Sequence, residues 1–227
     1  MEVLNLHQLH TPALLIEQQN QILFAKVATD LIDKGYSIQP FALPIDLANN
    51  LVTQVSSMSK QAFMEAGIGR LSKHMHNDFV RRDEICWISG SSEASAQWLD
   101  WTNKLQIYLN QHLFLGLFSF ESHFSHYATG SFYKRHLDAF KGQANRVLSL
   151  VAYLNPNWQI GDGGELVLYQ DEFDTQGLKV IPALGTLAIF LSEEFPHEVL
   201  PANRDRYSIA GWYRINASSA DRVDPPR

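Results

Sequence analysis

Two histidines and one aspartate carry the sharpest chemical signal in this chain. His136-Leu137-Asp138 sets an imidazole and a carboxylate two positions apart. In a β-strand such residues share a face, so the two side chains converge while Leu137 enters the opposite layer. His197 follows at the start of another predicted strand. Two imidazoles and one carboxylate suit an open ferrous centre, with three coordination positions left for a co-substrate and O₂. A closed structural zinc site would take four protein ligands, often cysteines, and Cys86 is the one cysteine here. A lone His-x-Asp is a common accident, so the context has to carry the reading. Arg206 follows His197 across the turn Pro201-Ala202-Asn203-Arg204. A hairpin there would lay Arg206 beside the His197 strand. Alternation would put Arg206, Ser208, Ala210 and Trp212 on one face. An inward arginine is a costly buried charge unless an anion pairs with it. A dicarboxylate co-substrate supplies that anion, and a guanidinium grips a carboxylate in bidentate fashion. A cupin-like metal protein would use the same three donors but has no need of this arginine.

The elements that must position these residues change character near residue 116. Before it, helical spacing dominates. Gln18 to Lys34 carries Ile22, Leu23, Ala25, Val27, Leu31 and Ile32, and Gly35 offers a stop. Pro44 to Phe63 reads as a second helix with proline at its start. Ser92 would cap a third, with Trp98, Trp101, Leu105, Tyr108 and His112 at three- and four-residue steps. Short β-like runs, Tyr36 to Phe41 and Ile85 to Ser89, separate the helices. After residue 116 the pattern becomes strand, turn, strand: Phe118–Tyr127, Phe132–Asp138, Arg146–Leu154, Glu165–Tyr169, Lys179–Ile181, Gly185–Leu191, Glu198–Leu200 and Arg206–Ile215. Turn clusters such as Asn155-Pro156-Asn157 and Gly161-Asp162-Gly163-Gly164 punctuate them. The predicted class is α+β with a mainly β core, a double-stranded β-helix (jelly roll) with supporting N-terminal helices against one sheet's outer face. Leu148, Leu150, Leu166, Leu168 and Ile189 are candidates for a dry wall around the metal.

Composition narrows the class further. The 227 residues are 45% hydrophobic and 19% charged, a globular balance with length for a substantial core. A formal charge of −6 argues against a general nucleic-acid binder. One cysteine rules out a disulfide framework within the chain and fits a reducing compartment. Cys86 itself, in Ile85-Cys86-Trp87-Ile88, reads as a small core residue. The N-terminal residues lack a basic-then-apolar signal pattern, and no stretch is long and apolar enough for a membrane span. The expectation is a cytoplasmic protein with no membrane partner.

The stretch Tyr127 to Tyr213 resembles the iron- and 2-oxoglutarate-dependent prolyl 4-hydroxylase family. It looks closest to the branch of the animal oxygen-sensing prolyl hydroxylases and their bacterial relatives. The matching pieces are Tyr133-Lys134-Arg135-His136-Leu137-Asp138, Tyr153-Leu154-Asn155, Gly163-Gly164-Glu165-Leu166 and Phe195-Pro196-His197-Glu198-Val199, then Arg206-Tyr207 through Trp212-Tyr213. Upstream, Arg82-Asp83-Glu84-Ile85-Cys86-Trp87-Ile88 also looks like that branch, so the similarity spans most of residues 66 to 215. Residues 1 to 35 are left uncovered. The resemblance implies Fe(II) on His136, Asp138 and His197, with 2-oxoglutarate and O₂ as co-substrates; L-ascorbate is left open as a further one. It implies that Arg206 binds the distal carboxylate of 2-oxoglutarate, that Tyr153 hydrogen-bonds to it, and that Tyr127 lines the pocket. Arg146 and Trp212 match positions near the substrate. Ser208 departs from the animal enzymes, where alanine is expected, and would add a hydrogen bond to the carboxylate. The activity implied is hydroxylation of a prolyl residue in a protein or peptide, with release of succinate and CO₂. By analogy the target is a translation factor or ribosomal protein. The alternatives are the same chemistry on a small molecule or free amino acid, and the cupin-like protein. Residues 1–227 are then one dioxygenase domain: 1–115 as helical support and substrate loop, 116–216 as jelly-roll catalytic core, 217–227 as tail.

Other conspicuous residues have blander readings. His74, His76 and Asp78 alternate within a polar segment and read as solvated loop residues, in a stretch (Gly67 to Asp83) where relatives carry a substrate-covering loop. His123 and His126 should fall on opposite faces of a strand, one in the core and one exposed. Trp98 and Trp101 read as core anchors. Arg81-Arg82 is a solvated basic pair, with a route to orienting a loop through Asp83.

Overall fold

A computed structural model describes residues 11–65, 81–139 and 145–216. His74, His76 and Asp78, with most of the expected substrate loop and the tail from residue 217, lie outside the described residues. Helix α1 (Thr11–Lys34) starts earlier than expected and buries Phe24, Val27, Ala28 and Leu31, one stripe at helical spacing. Gly35 ends it as expected. Its φ is +76°, and a Cβ there would sit 2.8 Å from the Phe195 ring. Helix α2 (Ile45–Ser57) follows Pro44 but stops before Phe63, because Met58 is already extended. Ser57 Oγ donates to the Gln54 carbonyl, the local serine bonding that competes with helix propagation. A 3₁₀ turn (Lys60–Ala62) and the short strand β2 (Met64–Glu65) take the remainder. Helix α3 (Glu93–Leu113) has the expected cap, with Ser95 N donating to Ser92 Oγ at 3.1 Å. Trp98 and Trp101 are core anchors as read, and their ring N–H groups donate to Ser122 Oγ and Asn20 Oδ1.

All eight expected β runs are strands; six are shortened by one or two residues at an end, and the expected Lys179–Ile181 and Glu198–Leu200 runs each begin and end one residue earlier. With β1 (Tyr36–Gln39), β2 and β3 (Glu84–Trp87), the runs are β4 (Ser119–Tyr127), β5 (Tyr133–His136), β6 (Arg146–Tyr153), β7 (Leu166–Leu168), β8 (Leu178–Val180), β9 (Leu187–Leu191), β10 (His197–Val199) and β11 (Arg206–Arg214). They form two antiparallel sheets, β1-β9-β6-β11-β4-β3-β2 and β5-β10-β7-β8. This is the expected jelly roll, with the three helices packed on one face of the larger sheet.

Two local expectations fail. β10 and β11 do not make a hairpin, because they lie in different sheets, and the turn between them crosses the sandwich. Arg206 instead pairs with Tyr127 of β4. The proposed dry wall also splits. Leu148, Leu150 and Ile189 face the helices, whereas Leu166 and Leu168 lie between the sheets with Tyr127, Tyr153 and Phe190. The period of two explains it: on β6 the residues that alternate with Leu148 and Leu150 are Ser149, Val151 and Tyr153.

Candidate active site

The smaller sheet sets the three candidate ligands. His136 ends β5 and is paired across the ladder with His197, which opens β10. Asp138 lies in a bend just past β5, so it reaches the same point by a turn of the chain and not by strand alternation. His136 Nε2 is 3.6 Å from Asp138 Oδ1, and His197 Nε2 is 3.7 Å from Asp138 Oδ2. All three donor atoms fall within 4.8 Å of one another, the one such group of His, Cys, Asp and Glu among the described residues.

Each donor is oriented from behind. His136 Nδ1 lies 2.8 Å from the Lys134 carbonyl and His197 Nδ1 lies 3.0 Å from the Phe195 carbonyl. A carbonyl only accepts, so each Nδ1 carries the proton and each Nε2 turns its lone pair to the centre. Tyr133 stacks on His136 at 3.6 Å, and Phe190 meets His197 edge-on at 4.8 Å. Burial, then repulsion from His136, lowers His197 to about 4, which keeps its imidazole neutral. Burial alone would raise the Asp138 carboxyl. His197, His136 and Arg146 outweigh it and hold Asp138 well below the usual carboxylate range. Ser149 Oγ donates to Asp138 Oδ2 at 2.7 Å and is itself 2.9 Å from Ser192 Oγ. Two imidazoles with their Nε2 atoms forward and a fixed anion on one side of a point suit a divalent transition metal with open positions.

The larger sheet supplies the second half of the site. Arg206 is 1% exposed. Its Nε donates to the Gly164 carbonyl at 2.8 Å and its Nη1 to Ser208 Oγ at 3.3 Å. Its guanidinium lies 4.9 Å from the Tyr127 ring and 5.1 Å from that of Tyr153. No carboxylate pairs with it among the described residues. The Tyr153 hydroxyl is buried with no hydrogen-bond partner there either. Burial pushes Tyr153 up to about 12 against the pull of Arg206. Gly164 has a φ of +70°, and a Cβ would come within 3.1 Å of Arg206 Cδ, so the close approach needs glycine. A buried cation and a buried hydroxyl, both short of an acceptor, make a receptor for an anion. Phe190 ties the halves together: its ring meets His197 and packs in the same cluster as Tyr127 and Tyr153.

Arg146 and Trp212 also come together, with the guanidinium 3.6 Å over the indole. His123 is buried beside Ser125, between Trp87 and Trp212. His123 is thus the core member of the pair, but His126 is not exposed as the other was expected to be: it is mostly covered, 3.0 Å from Glu84, 3.3 Å from Asp205 and stacked on Tyr207. Arg81 is not solvated. It clamps Asp83 through two hydrogen bonds of 2.7 and 2.6 Å and lies over the Tyr133 ring. The sequence reading missed Ser149, Tyr133 and Glu121. Only the alternation within Arg146 to Tyr153 could have turned Ser149 inward, and nothing local pointed to its partner.

The model of the 2OG-Fe(II) oxygenase superfamily matches residues 122–214. The crystal structure of a Pseudomonas putida prolyl-4-hydroxylase is 40% identical, with a TM-score of 0.75, over 86% of this chain and 100% of that one. A prolyl hydroxylase from Trichoplax adhaerens, solved with a peptide fragment of the hypoxia inducible factor oxygen degradation domain, is 27% identical with a TM-score of 0.74. That match covers 93% of this chain and 94% of the other. The Caenorhabditis elegans hypoxia-inducible factor prolyl hydroxylase is 35% identical over 96 residues, 41% of this chain and 13% of the relative. Human prolyl hydroxylase EGLN3 is 29% identical over 143 residues, 59% of each chain. The chain thus spans only part of these curated relatives.

Proposed function

This chain belongs to the 2OG-Fe(II) oxygenase superfamily, and from that premise we propose that it hydroxylates a prolyl residue of a protein or peptide substrate. His136, Asp138 and His197 hold Fe(II) in this reading. Arg206 takes the distal carboxylate of 2-oxoglutarate, with Tyr153 and Ser208 as hydrogen-bonding partners and Tyr127 as pocket wall. The observation that carries it is Arg206, a buried guanidinium with no carboxylate partner among the described residues, next to the unpartnered Tyr153 hydroxyl. One dicarboxylate would satisfy both. A cupin-like site gives no reason for either.

Bound iron, with 2-oxoglutarate and O₂, supplies an oxidant able to hydroxylate an unactivated carbon, and 2-oxoglutarate leaves as succinate and CO₂. The chain's own residues position and exclude. The two imidazoles present their Nε2 atoms forward, held by their Nδ1 contacts to backbone carbonyls. Ser149 fixes the Asp138 carboxylate. Phe190, Ala188 and Val151 keep the space between the sheets apolar, which limits water and side reactions. Arg146 and Trp212 face the substrate. Residues 1–115 serve as support and 116–216 as the catalytic core. A relative's name speaks of hypoxia-inducible factor and one neighbour was solved with its peptide; a prolyl peptide is the corresponding substrate class here. No helix among the described residues is long and apolar enough to cross a membrane; a cytoplasmic site of action is part of the proposal, and rests on the single cysteine.

The test is turnover with Fe(II), 2-oxoglutarate, O₂ and proline-containing peptides, followed by mass spectrometry for an added oxygen and by succinate release. Asp138→Ala should abolish both and lose most Fe(II) binding. Oxygen insertion that survives in Asp138→Ala, or succinate release that no prolyl peptide stimulates, would overturn the reading.

A further inference from the structure

We infer that Glu121, buried behind the substrate side of the site, is a positioning residue that fixes Arg146 on Trp212 and so sets how the site grips an extended chain. The inference rests on the prolyl-substrate reading above. Glu121 lies on β4 directly opposite Trp212 of β11, and is 7% exposed. An ionised carboxylate that deep is costly unless it is paired. Its Oε1 accepts from Arg146 Nε at 3.3 Å and Nη2 at 2.9 Å, and its Oε2 lies 3.6 Å from Arg214 Nη1. Arg146 arrives from β6, the strand whose Ser149 is also paired with Trp212.

The guanidinium is therefore held on one edge by a carboxylate and on one face by an indole. Its Nη1 makes no hydrogen bond among the described residues, and the side chain keeps 20% exposure. The Trp212 Nε1 hydrogen is buried and has no hydrogen-bond partner among the described residues. Arg146 Nη1 is thus an unused donor on a fixed, partly exposed side chain, which suits an acceptor oxygen of a main chain laid across it, with the buried Trp212 indole as its floor. Arg146 also helps hold the Asp138 carboxyl down, so this guanidinium is within electrostatic reach of the candidate metal ligands. Without its tether a long arginine samples many rotamers, and the substrate would have to immobilise it on binding. Glu121 removes that cost beforehand. The competing role, a mere counter-ion for Arg214, predicts loss of folding stability and no particular effect on substrate.

Glu121→Gln keeps the shape and removes the charge. Two readouts are taken on purified protein. The first is the Arg146 Nε–Hε signal in ¹⁵N NMR, assigned with Arg146→Lys. In the wild type it should be shifted upfield by the Trp212 ring, and in Glu121→Gln it should move to the position of a free arginine. The second is steady-state turnover with a prolyl peptide. The peptide KM should rise about tenfold, the scale of coupling within one ion network, while kcat and the 2-oxoglutarate KM change less than about twofold. Glu121→Asp, which keeps the charge, should lie between the two, and it carries the same comparison if Glu121→Gln does not fold. An Arg146 signal that stays put in Glu121→Gln overturns the inference. So does a moved signal with wild-type peptide KM. A wild type that turns over no prolyl peptide defeats the functional reading first and this inference with it; an active wild type with an indifferent Glu121→Gln defeats only this inference.

Discussion

Replacing Arg206 by methionine should have opposite effects on the empty and the ligand-bound protein. Arg206 is 1% exposed, makes two hydrogen bonds to Gly164 and Ser208, and has no carboxylate partner among the described residues. Most core truncations destabilise, but here the side chain brings an unpaired charge into the interior, and methionine of similar volume relieves it. The free protein should therefore unfold within about 1 kcal/mol of wild type, or be more stable. With 2-oxoglutarate bound, the guanidinium becomes one half of a buried ion pair. Removing that half should cost roughly 2–5 kcal/mol, or about 30- to several-thousand-fold in affinity. The assay is thermal unfolding without O₂, with Mn(II) in the metal site, at 2-oxoglutarate about a hundredfold above the wild-type Kd. Wild type should gain about 2.7 kcal/mol, which for a chain of this length moves the midpoint by roughly 5–11 °C. Arg206→Met should gain at most about 0.9 kcal/mol, a third of the wild-type gain or less, while still responding to Mn(II). A ligand-induced shift that survives at wild-type size in Arg206→Met would refute the assignment. An empty variant several kcal/mol less stable than wild type would show that Arg206 serves the fold.

Ser149→Ala should weaken Mn(II) or Fe(II) binding by about 10- to 100-fold, because the Asp138 carboxylate loses the hydroxyl that fixes one of its oxygens. Calorimetric metal titration reads this directly, and Ser149→Thr should restore much of it. The metal-free protein should also be acid-sensitive in a defined window. His123 and His197 are each held near 4 against a usual 6.5, burial being the largest cause for both. The unfolded chain then binds more protons than the folded one as pH falls from 6.5 toward 4. The stabilisation is complete above that window and is lost across it, at up to about 1.4 kcal/mol per pH unit for each imidazole. Asp138, lowered below 3.8, adds a loss only at lower pH. Denaturant midpoints of metal-free protein across this range check the slope; a flat profile means that neither imidazole is buried neutral.

The elements themselves were legible because each rests on a short-range rule. Phe24, Val27, Ala28 and Leu31 repeat at helical steps, Gly35 supplies the left-handed stop and Ser92 the cap. Alternation with turn clusters located every strand after residue 116. The pairing of those strands was not legible. His197 and Arg206 are close in sequence, so a hairpin was the economical expectation, yet β10 and β11 belong to opposite sheets. Turn residues mark a reversal without saying whether the chain returns beside itself or crosses to the facing layer. The same blindness assigned Leu148 and Leu150 to the metal's side, because β6 carries apolar residues on both faces and Ser149 alone marks the face toward Asp138.

The candidate site divides along the same line. Arg206, Ser208 and Trp212 alternate along one strand, so a period of two was enough to set them on one face, and an inward arginine by its type asked for an anion. The metal donors were found by their types, though Asp138 reaches His136 by a bend and not by alternation. The support was hidden because it joins strands far apart in the chain. Ser149 meets Asp138 and Ser192, Tyr133 meets Arg81, and Glu121 meets Arg146. None of these pairs has a spacing that periodicity can read. They also share a physical role: each fixes a group whose own chemistry is ordinary. An imidazole, a carboxylate and a guanidinium are common in any chain, and rigid placement is what would make these able to act. In this chain the reacting groups follow from local sequence, and the placement follows from the long-range ladders of both sheets.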